Sequence, residues 1–402
     1  MSFPRVATLV LVLGAAAADE CSWCEAGACD VSVGNVTKAH FNTSITAAVG
    51  GRAFPYWRPA GQPELGAPAA TAELAVIVHH GAGRNADDYC RYMMNSVRRA
   101  GLGATTLVFA PQVYEAADAG LDAARELWWD ASDDDGLDDA RGARDWKWGG
   151  NSTAELGASL STFSVLDELV GALADAAAYP RLARVVVAGH SAGGQIAQRY
   201  ALFSRLAPPP FALEVVVANP SSVTYLDARR PALAAPRTCG FCDNATIANA
   251  TWAFAAPAAG LACAATYDDY GYGLGGAAAL PDYPAATGAD AARAQYAARR
   301  VTYASGSSDV CDAPYMTAHD CVACRPDDGG LDGSCEADAQ GYCRMARLHA
   351  FAQYVHLYYG ERNVSSASHR LVAVPGVGHS GCAMFQSAEF TDAVLLSPQA
   401  RA

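Results

Sequence analysis

The feature that most constrains this chain is a run of β-branched residues that ends in Gly-His-Ser-Ala-Gly at positions 189–193. Apolar residues spaced near the helical period follow over 195–203. A turn of this kind needs Gly189 and Gly193 because a Cβ at either position would collide with its neighbours, and the serine Oγ must project freely. The sequence therefore predicts a strand, a tight turn that carries Ser191, and a helix, an arrangement called a nucleophile elbow.

Strands and helices alternate along most of the chain. Short valine-rich runs are typical of strands in a parallel sheet that is covered on both faces. The predicted strands are 54–58, 74–78, 105–110, 185–188, 213–218, 300–304 and 371–374. The predicted helices are 163–177, 193–203 and 344–358. This alternation predicts an α/β fold with a mostly parallel central sheet and helices on both faces, interrupted by irregular segments at 112–153 and 219–296.

A serine nucleophile needs a base that takes its proton and a carboxylate that orients the base. His379 directly follows the last predicted strand, and Asp309 lies just past the end of the strand before it. The chain order Ser191, Asp309, His379 differs from the orders in trypsin-like and subtilisin-like enzymes. Asp312 is the alternative carboxylate, and a solvated turn is the alternative role for Asp309. His190, inside the elbow, is expected to pack or to orient the turn.

An acyl-transfer site also needs amide donors that face the developing oxyanion. The predicted strand 74–78 runs into a glycine-rich turn, and the amides of Gly81 and Ala82 in that turn are candidate donors. The amide of Ala192, directly after the predicted nucleophile, is the second candidate. A simple strand-ending turn would look similar, but its combination with an elbow and a histidine loop favours an oxyanion hole.

The amino terminus predicts export. Residues 1–18 combine one arginine, a short apolar run and small residues before Asp19, as a cleavable signal peptide does, with an N-terminal anchor as the alternative. Six N-glycosylation sequons point the same way. They begin at Asn35, Asn42, Asn151, Asn244, Asn249 and Asn363. We therefore expect a secreted, N-glycosylated protein.

The 13 cysteines also fit an oxidising compartment, because disulfides persist there. Three pairs have the C-x-x-C spacing, beginning at Cys21, Cys239 and Cys321. Such pairs bind zinc in other proteins, but their wide separation in a glycosylated chain favours disulfides, whose connectivity the sequence leaves open. The odd count predicts one thiol that is free or intermolecular. The cysteine-rich segment 19–50 is expected to precede one large domain at 51–402.

Charge and motif spacing exclude several partners. With a formal net charge of −13 and an isoelectric point of about 5.1, the chain would be repelled by nucleic acids and anionic membranes. After the signal peptide, no stable membrane span is predicted.

No organic cofactor is implied, because G-x-S-x-G lacks the G-x-G-x-x-G turn of dinucleotide sites. The acidic run 130–139 fails the EF-hand spacing, so we expect a solvated loop there and no metal, with calcium as the alternative.

Together these motifs resemble the α/β-hydrolase superfamily, and more closely a group of secreted α/β-hydrolases. The resemblance spans about 74–379 and includes 80–89, 163–169, 217–222, 270–274, Gln195, Arg199, Tyr200, Gln340, Gly341, Arg344, Arg347, the elbow and the histidine loop. It implies a triad of Ser191, Asp309 and His379. It also implies that the segment at about 219–296 is a cap or lid over the substrate pocket.

The expected function is a secreted serine hydrolase, with carboxylic ester hydrolysis as the first choice because it is the commonest chemistry on this scaffold. The substrate would be a small-molecule or polymer ester. A peptidase or an acyltransferase would use the same triad, and a catalytically silent binding module is the alternative from another class. Aromatic residues of the two irregular segments would either line the substrate site or pack in the core. They are Trp128, Trp129, Trp146, Trp148, Tyr267, Tyr270 and Tyr272.

Overall fold

The computed structural model describes residues 29–30, 34–42, 51–130, 145–153, 159–232, 244–310 and 331–397. The predicted signal peptide, the three C-x-x-C pairs, Asp312 and nearly all of the acidic run 130–139 lie outside the described residues. Among the residues that are described, no helix has both the length and the apolar character needed to cross a bilayer.

An eight-stranded sheet forms the centre of the molecule, beside a small two-stranded ribbon. The strands are β1 (Val36–Phe41), β2 (Phe54–Pro59), β3 (Leu74–His79), β4 (Thr106–Pro111), β5 (Arg184–His190), β6 (Ala212–Ala218), β7 (Arg230–Pro231), β8 (Phe254–Ala255), β9 (Arg300–Gly306) and β10 (His369–Val374). The order in the large sheet is β1-β2-β4-β3-β5-β6-β9-β10, and β7 pairs with β8. Strand β2 is antiparallel to both neighbours, whereas all pairings from β4 to β10 are parallel. The predicted fold class is thereby confirmed.

All seven predicted strands are present, with ends within two residues of the predicted ones. The sequence did not predict β1, which belongs to the cysteine-rich segment 19–50. It pairs antiparallel with β2 over its whole length, from Val36 opposite Pro59 to Phe41 opposite Phe54. Part of the amino-terminal segment therefore forms an edge of the central sheet.

Helices lie on both faces of the sheet. They are α1 (Ala86–Arg99), α2 (Thr162–Ala172), α3 (Ala192–Phe203), α4 (Asn244–Asn249), α5 (Asp282–Thr287), α6 (Ala289–Ala298), α7 (Cys335–Asp338), α8 (Arg344–Gly360), α9 (Gly381–Phe385) and α10 (Ala388–Phe390). The prediction that a helix extends to Ala177 was wrong, because α2 ends at Ala172. Beyond it the Asp175 carboxylate accepts a hydrogen bond from the amide of Ala177 at 2.8 Å, and such local bonds compete with a helix.

The alternation of side chains along β5 explains the layered core. Val185 and Val187 point into the larger apolar cluster, which α2, α3, α6 and α8 cover. Val186 and Ala188 point to the opposite face, into a cluster covered by α1, α9 and α10. The unpredicted helix α1 has two aspartates in its first turn and two arginines in its last turn, which matches the helix dipole.

Two disulfides are present among the described residues. Cys29 is bonded to Cys382 at the start of α9, and Cys263 is bonded to Cys335 at the start of α7. Cys90 is a buried thiol on α1, and burial raises its pKa. The thiol is therefore protonated and shielded at neutral pH.

Candidate active site

The predicted elbow lies between β5 and α3 at the carboxyl edge of the sheet. Ser191 has φ 59° and ψ −124°, a backbone conformation that L-residues rarely adopt. A Cβ on Gly189 would lie 1.9 Å from the carbonyl oxygen of Gly193, and one on Gly193 would lie 2.5 Å from the carbonyl oxygen of His80. The Ser191 amide donates to the carbonyl of Ala218 at the end of β6, at 3.0 Å. Both glycines are therefore required by close backbone contacts around the serine.

The structure brings Ser191, Asp309 and His379 together in one hydrogen-bonded chain. His379 Nε2 lies 3.0 Å from Ser191 Oγ, and His379 Nδ1 lies 2.8 Å from Asp309 Oδ2. The carboxylate can only accept, so Nδ1 carries the proton and Nε2 is left to accept from the serine hydroxyl. This arrangement can withdraw the proton of Ser191, whose side chain is buried with that of Asp309.

Two loops of the sheet edge fix the partners of the serine. The amide of Asp309 donates to the carbonyl of Gly306 at 3.2 Å, and the amide of Met345 donates to the carbonyl of Asp309 at 3.0 Å. A Cβ on Gly306 would lie 2.3 Å from the carbonyl oxygen of Val377, so the loops after β9 and β10 are in backbone contact. The loop of the carboxylate and the loop of the histidine thus pack as a unit.

A buried guanidinium sets the electrostatics around His379. Arg344, at the start of α8, lies 3.8 Å from Asp309 Oδ1 and donates from Nε to Ser221 Oγ at 3.2 Å. Burial and the positive charge of Arg344 lower the pKa of His379, and Asp309 opposes them. The imidazole is therefore neutral at neutral pH, as a general base must be.

His190 packs against the back of His379. The two ring centroids are 4.6 Å apart with an angle of 34° between the planes. His190 Nδ1 lies 3.2 Å from the hydroxyl of Tyr89 on α1. Burial first, and then the charges of His379 and Arg344, lower the pKa of His190 well below its usual range. A neutral ring thus packs against the imidazole of His379, at a position where the sequence predicted packing or orientation.

The predicted oxyanion turn follows β3. His80 Nε2 accepts from the amide of Val113 at 3.1 Å, so Nδ1 carries the proton and donates to the carbonyl of Gly81 at 2.8 Å. Burial lowers the pKa of His80 to about 4, which keeps this neutral tautomer. The amide of Arg84 also donates to the Gly81 carbonyl, at 3.1 Å. Because the peptide is planar and trans, the Ala82 amide points away from that carbonyl.

An arginine that the sequence analysis did not single out clamps the same turn. Arg84 has φ 50°, and its guanidinium binds both carboxylate oxygens of Asp118 at 2.6 and 2.8 Å and Glu115 at 3.1 Å. The Arg84 carbonyl accepts from the Gln112 side chain at 2.7 Å. The segment after β4 therefore holds the turn after β3, and only the folded chain reveals this because the partners are distant in sequence.

The aromatic residues of the two irregular segments are mostly core residues. Trp146 stacks on His79 at 6.1 Å between centroids and meets His80 edge-on at 5.3 Å. Tyr267 alone among them is half-buried, while the others are buried in the large apolar cluster or at its margin. The structure therefore favours packing over ligand stacking. In the described part of the chain, no group of three or more His, Cys, Asp or Glu side chains could hold a metal ion.

The chain is similar to poly(aspartic acid) hydrolase-1 from Sphingomonas sp. KT-1, with a TM-score of 0.50, 19% identity and coverage of 88% of this chain and 96% of that one. The chain has an α/β-hydrolase fold. The chain is also similar to a poly(3-hydroxybutyrate) depolymerase from Bordetella parapertussis, with a TM-score of 0.49, 19% identity and coverage of 88% of this chain and 87% of that one. No protein-family model matches the sequence, and no curated protein is significantly similar to it.

Proposed function

We propose that this protein is a secreted serine hydrolase of carboxylic esters. The observation that carries the proposal is the hydrogen-bonded chain from Ser191 through His379 to Asp309, built on a strained elbow. In this assignment Ser191 is the nucleophile, His379 the general base and acid, and Asp309 the carboxylate that orients His379. A strained residue that presents a nucleophile to a base is a costly arrangement that packing alone does not require.

The reaction begins with attack of Ser191 Oγ on the ester carbonyl carbon, while the hydroxyl proton moves to His379 Nε2. The tetrahedral intermediate collapses when its bond to the alcohol oxygen breaks, and the alcohol takes the proton from Nε2. Water then attacks the acyl carbon and gives a proton to Nε2, and as the bond to Ser191 Oγ breaks, Nε2 returns that proton to Oγ and the acid is released. Asp309 stabilises the imidazolium in both halves without being protonated itself.

In the same proposal the oxyanion is bound by two backbone amides. Ala192 is the first residue of α3, where helix amides have no intrahelical partner. The other donor is the amide of Ala82 or of Gly81, both in the turn after β3. Gly81 itself lies against the nucleophile, since a Cβ on it would be 3.3 Å from Ser191 Cβ. Preorganised amides of this kind stabilise the transition state by about 3 kcal/mol each.

Two features support a location outside the cell. The disulfides Cys29–Cys382 and Cys263–Cys335 are of the kind that persists in oxidising compartments. Four of the sequon asparagines have exposed side chains in the described part of the chain, as glycosylation requires. They are Asn35, Asn42, Asn249 and Asn363.

The test is hydrolysis of p-nitrophenyl esters from acetate to palmitate by the glycosylated protein and by Ser191→Ala. We expect ester hydrolysis that Ser191→Ala abolishes and that the control Ser368→Ala, at the amino end of β10, retains. The chain-length optimum separates an esterase from a lipase. A folded protein that hydrolyses none of these esters would contradict the ester assignment and favour a peptidase, an acyltransferase or a silent binding module.

A further inference from the structure

Asn219 lies directly after β6, between the elbow and the two loops that carry Asp309 and His379. It is fully buried, and its backbone has a φ of 40°, which asparagine tolerates better than most residues. Its own amide donates to the carbonyl of Ala304 in β9 at 3.1 Å. Backbone contacts alone thus fix Asn219 at the carboxyl edge of the sheet.

The side-chain amide of Asn219 connects both loops. Its Oδ1 accepts from the amide of Gly306 at 2.9 Å, and its Nδ2 donates to the carbonyl of Gly378 at 3.1 Å. Gly306 ends β9 just ahead of Asp309, and Gly378 directly precedes His379. The two bonds have opposite polarity, so only one orientation of the amide satisfies both. The remaining Nδ2 proton faces His190 Nε2 at 3.5 Å.

We propose that Asn219 is a positioning residue that holds the His379 loop against the ends of β6 and β9 and so sets the reach of His379 to Ser191. This inference rests on the proposed function. Asn219 makes no hydrogen bond to Ser191 or Asp309 among the described contacts, so it acts through the backbone of Gly378. Gly378 is buried, so loss of the donor leaves its carbonyl without a hydrogen bond. An unsatisfied buried carbonyl costs free energy, and this cost favours displacement of the His379 loop.

Two substitutions separate the contributions of Asn219. Asn219→Asp keeps the shape and the acceptor for Gly306 but replaces the donor by an oxygen that repels the Gly378 carbonyl. Asn219→Gly keeps the positive φ without strain and removes the whole amide. The matched control is Gln62→Glu, which keeps the acceptor for the amide of Val108 in β4 and loses the donor to the Val108 carbonyl, a contact that involves neither the Asp309 loop nor the His379 loop.

The measurement is kcat and KM for a p-nitrophenyl ester, with kcat expressed per Ser191 titrated by a fluorophosphonate. We expect both Asn219 variants to lose about tenfold or more in kcat with KM within about twofold, because small misplacements of a catalytic group are costly. Gln62→Glu should retain kcat per titrated site. Unchanged kcat per site in either Asn219 variant would overturn the inference. A wild-type protein that neither reacts with the probe nor turns over would instead contradict the proposed function.

Discussion

Cys29 and Cys382 are joined by a disulfide although 353 positions separate them in the sequence. Cys382 lies in the first turn of α9, directly after the loop that carries His379. The same contact is reinforced by Gln386, which accepts from the amide of Asp30 and donates to its carbonyl, both at 3.0 Å. The amino-terminal segment is therefore attached to α9, the helix that directly follows the His379 loop.

We predict that removing the Cys29–Cys382 disulfide impairs catalysis as well as stability. In the double variant Cys29→Ala and Cys382→Ala, the free energy of unfolding should fall by about 2–5 kcal/mol. Because α9 would be less firmly held, kcat per titrated Ser191 should fall as well. Urea unfolding and ester kinetics measure the two effects.

The control removes the other disulfide, with Cys263→Ala and Cys335→Ala. This disulfide joins α7 to the segment before Tyr267, and neither of its cysteines lies in the His379 loop or in α9. It should therefore cost stability with kcat per site unchanged. Equal losses of kcat in both double variants would show that the Cys29–Cys382 disulfide has no specific effect on the site.

Arg84→Gln should lower kcat by about tenfold, because the bidentate contact with Asp118 fixes the turn that we propose binds the oxyanion. Steady-state kinetics on a p-nitrophenyl ester measure this loss. Arg91→Gln is the matched control, since in the described part of the chain Arg91 forms its ion pairs with Asp87 and Asp88, which are partly exposed and lie on its own helix. If both variants behave alike, the clamp does not position the turn.

The acid limb of kcat/KM should have its midpoint below 6.5. The base is neutral His379, and burial together with Arg344 lowers its pKa, so activity persists on acidification until the pH passes through that lowered value. The profile is measured from about pH 4 to 8, with circular dichroism at each pH to confirm folding. A midpoint at or above 6.5 in folded protein would contradict this electrostatic account.

The stability of the fold should also fall on acidification, in part through His369. Its Nε2 donates to the carbonyl of Tyr296 at 2.7 Å and its Nδ1 accepts from the hydroxyl of Tyr303 at 2.9 Å. Burial lowers its pKa to about 4, so between about 6.5 and 4 the unfolded chain binds a proton that the folded chain does not. The free energy of unfolding therefore decreases by up to about 1.4 kcal/mol per pH unit from this group.

Urea unfolding at pH 7 and at about pH 5, for the wild type and His369→Gln, isolates this contribution. The variant should be less stable at pH 7 but should lose less stability between the two pH values. The same loss in both proteins would show that His369 titrates normally in the fold.

Much of the sheet could be predicted because its parallel strands are buried on both faces and therefore form continuous apolar runs, as β3 and β5 do. Strand β1 was missed because it lies at an antiparallel edge and only Ala39 is fully buried in it. Helix α1 was missed because its mean character is polar, with charges at both ends and its buried residues on one face.

The residues of the candidate site could be predicted only where a local motif, or a position directly after a predicted strand, points to a single residue. Ser191 has its elbow, and His379 and Asp309 follow strand ends. Asn219 and Arg84 lie in segments that carry the family resemblance, but nothing in those segments indicates their roles, because the roles depend on contacts with loops far along the chain. The Cys29–Cys382 disulfide was equally hidden, since many pairings of the cysteines are compatible with the sequence.

The most direct test of the central claim is active-site labelling with a fluorophosphonate, followed by intact mass and peptide mapping. The account predicts one adduct per folded molecule, on Ser191, with no adduct in Ser191→Ala and labelling slowed by about a thousandfold or more in Asp309→Asn, where His379 loses its orienting anion. A folded wild-type protein that gains no adduct, or gains one on another residue, would contradict the assignment of Ser191, His379 and Asp309 as the catalytic machinery.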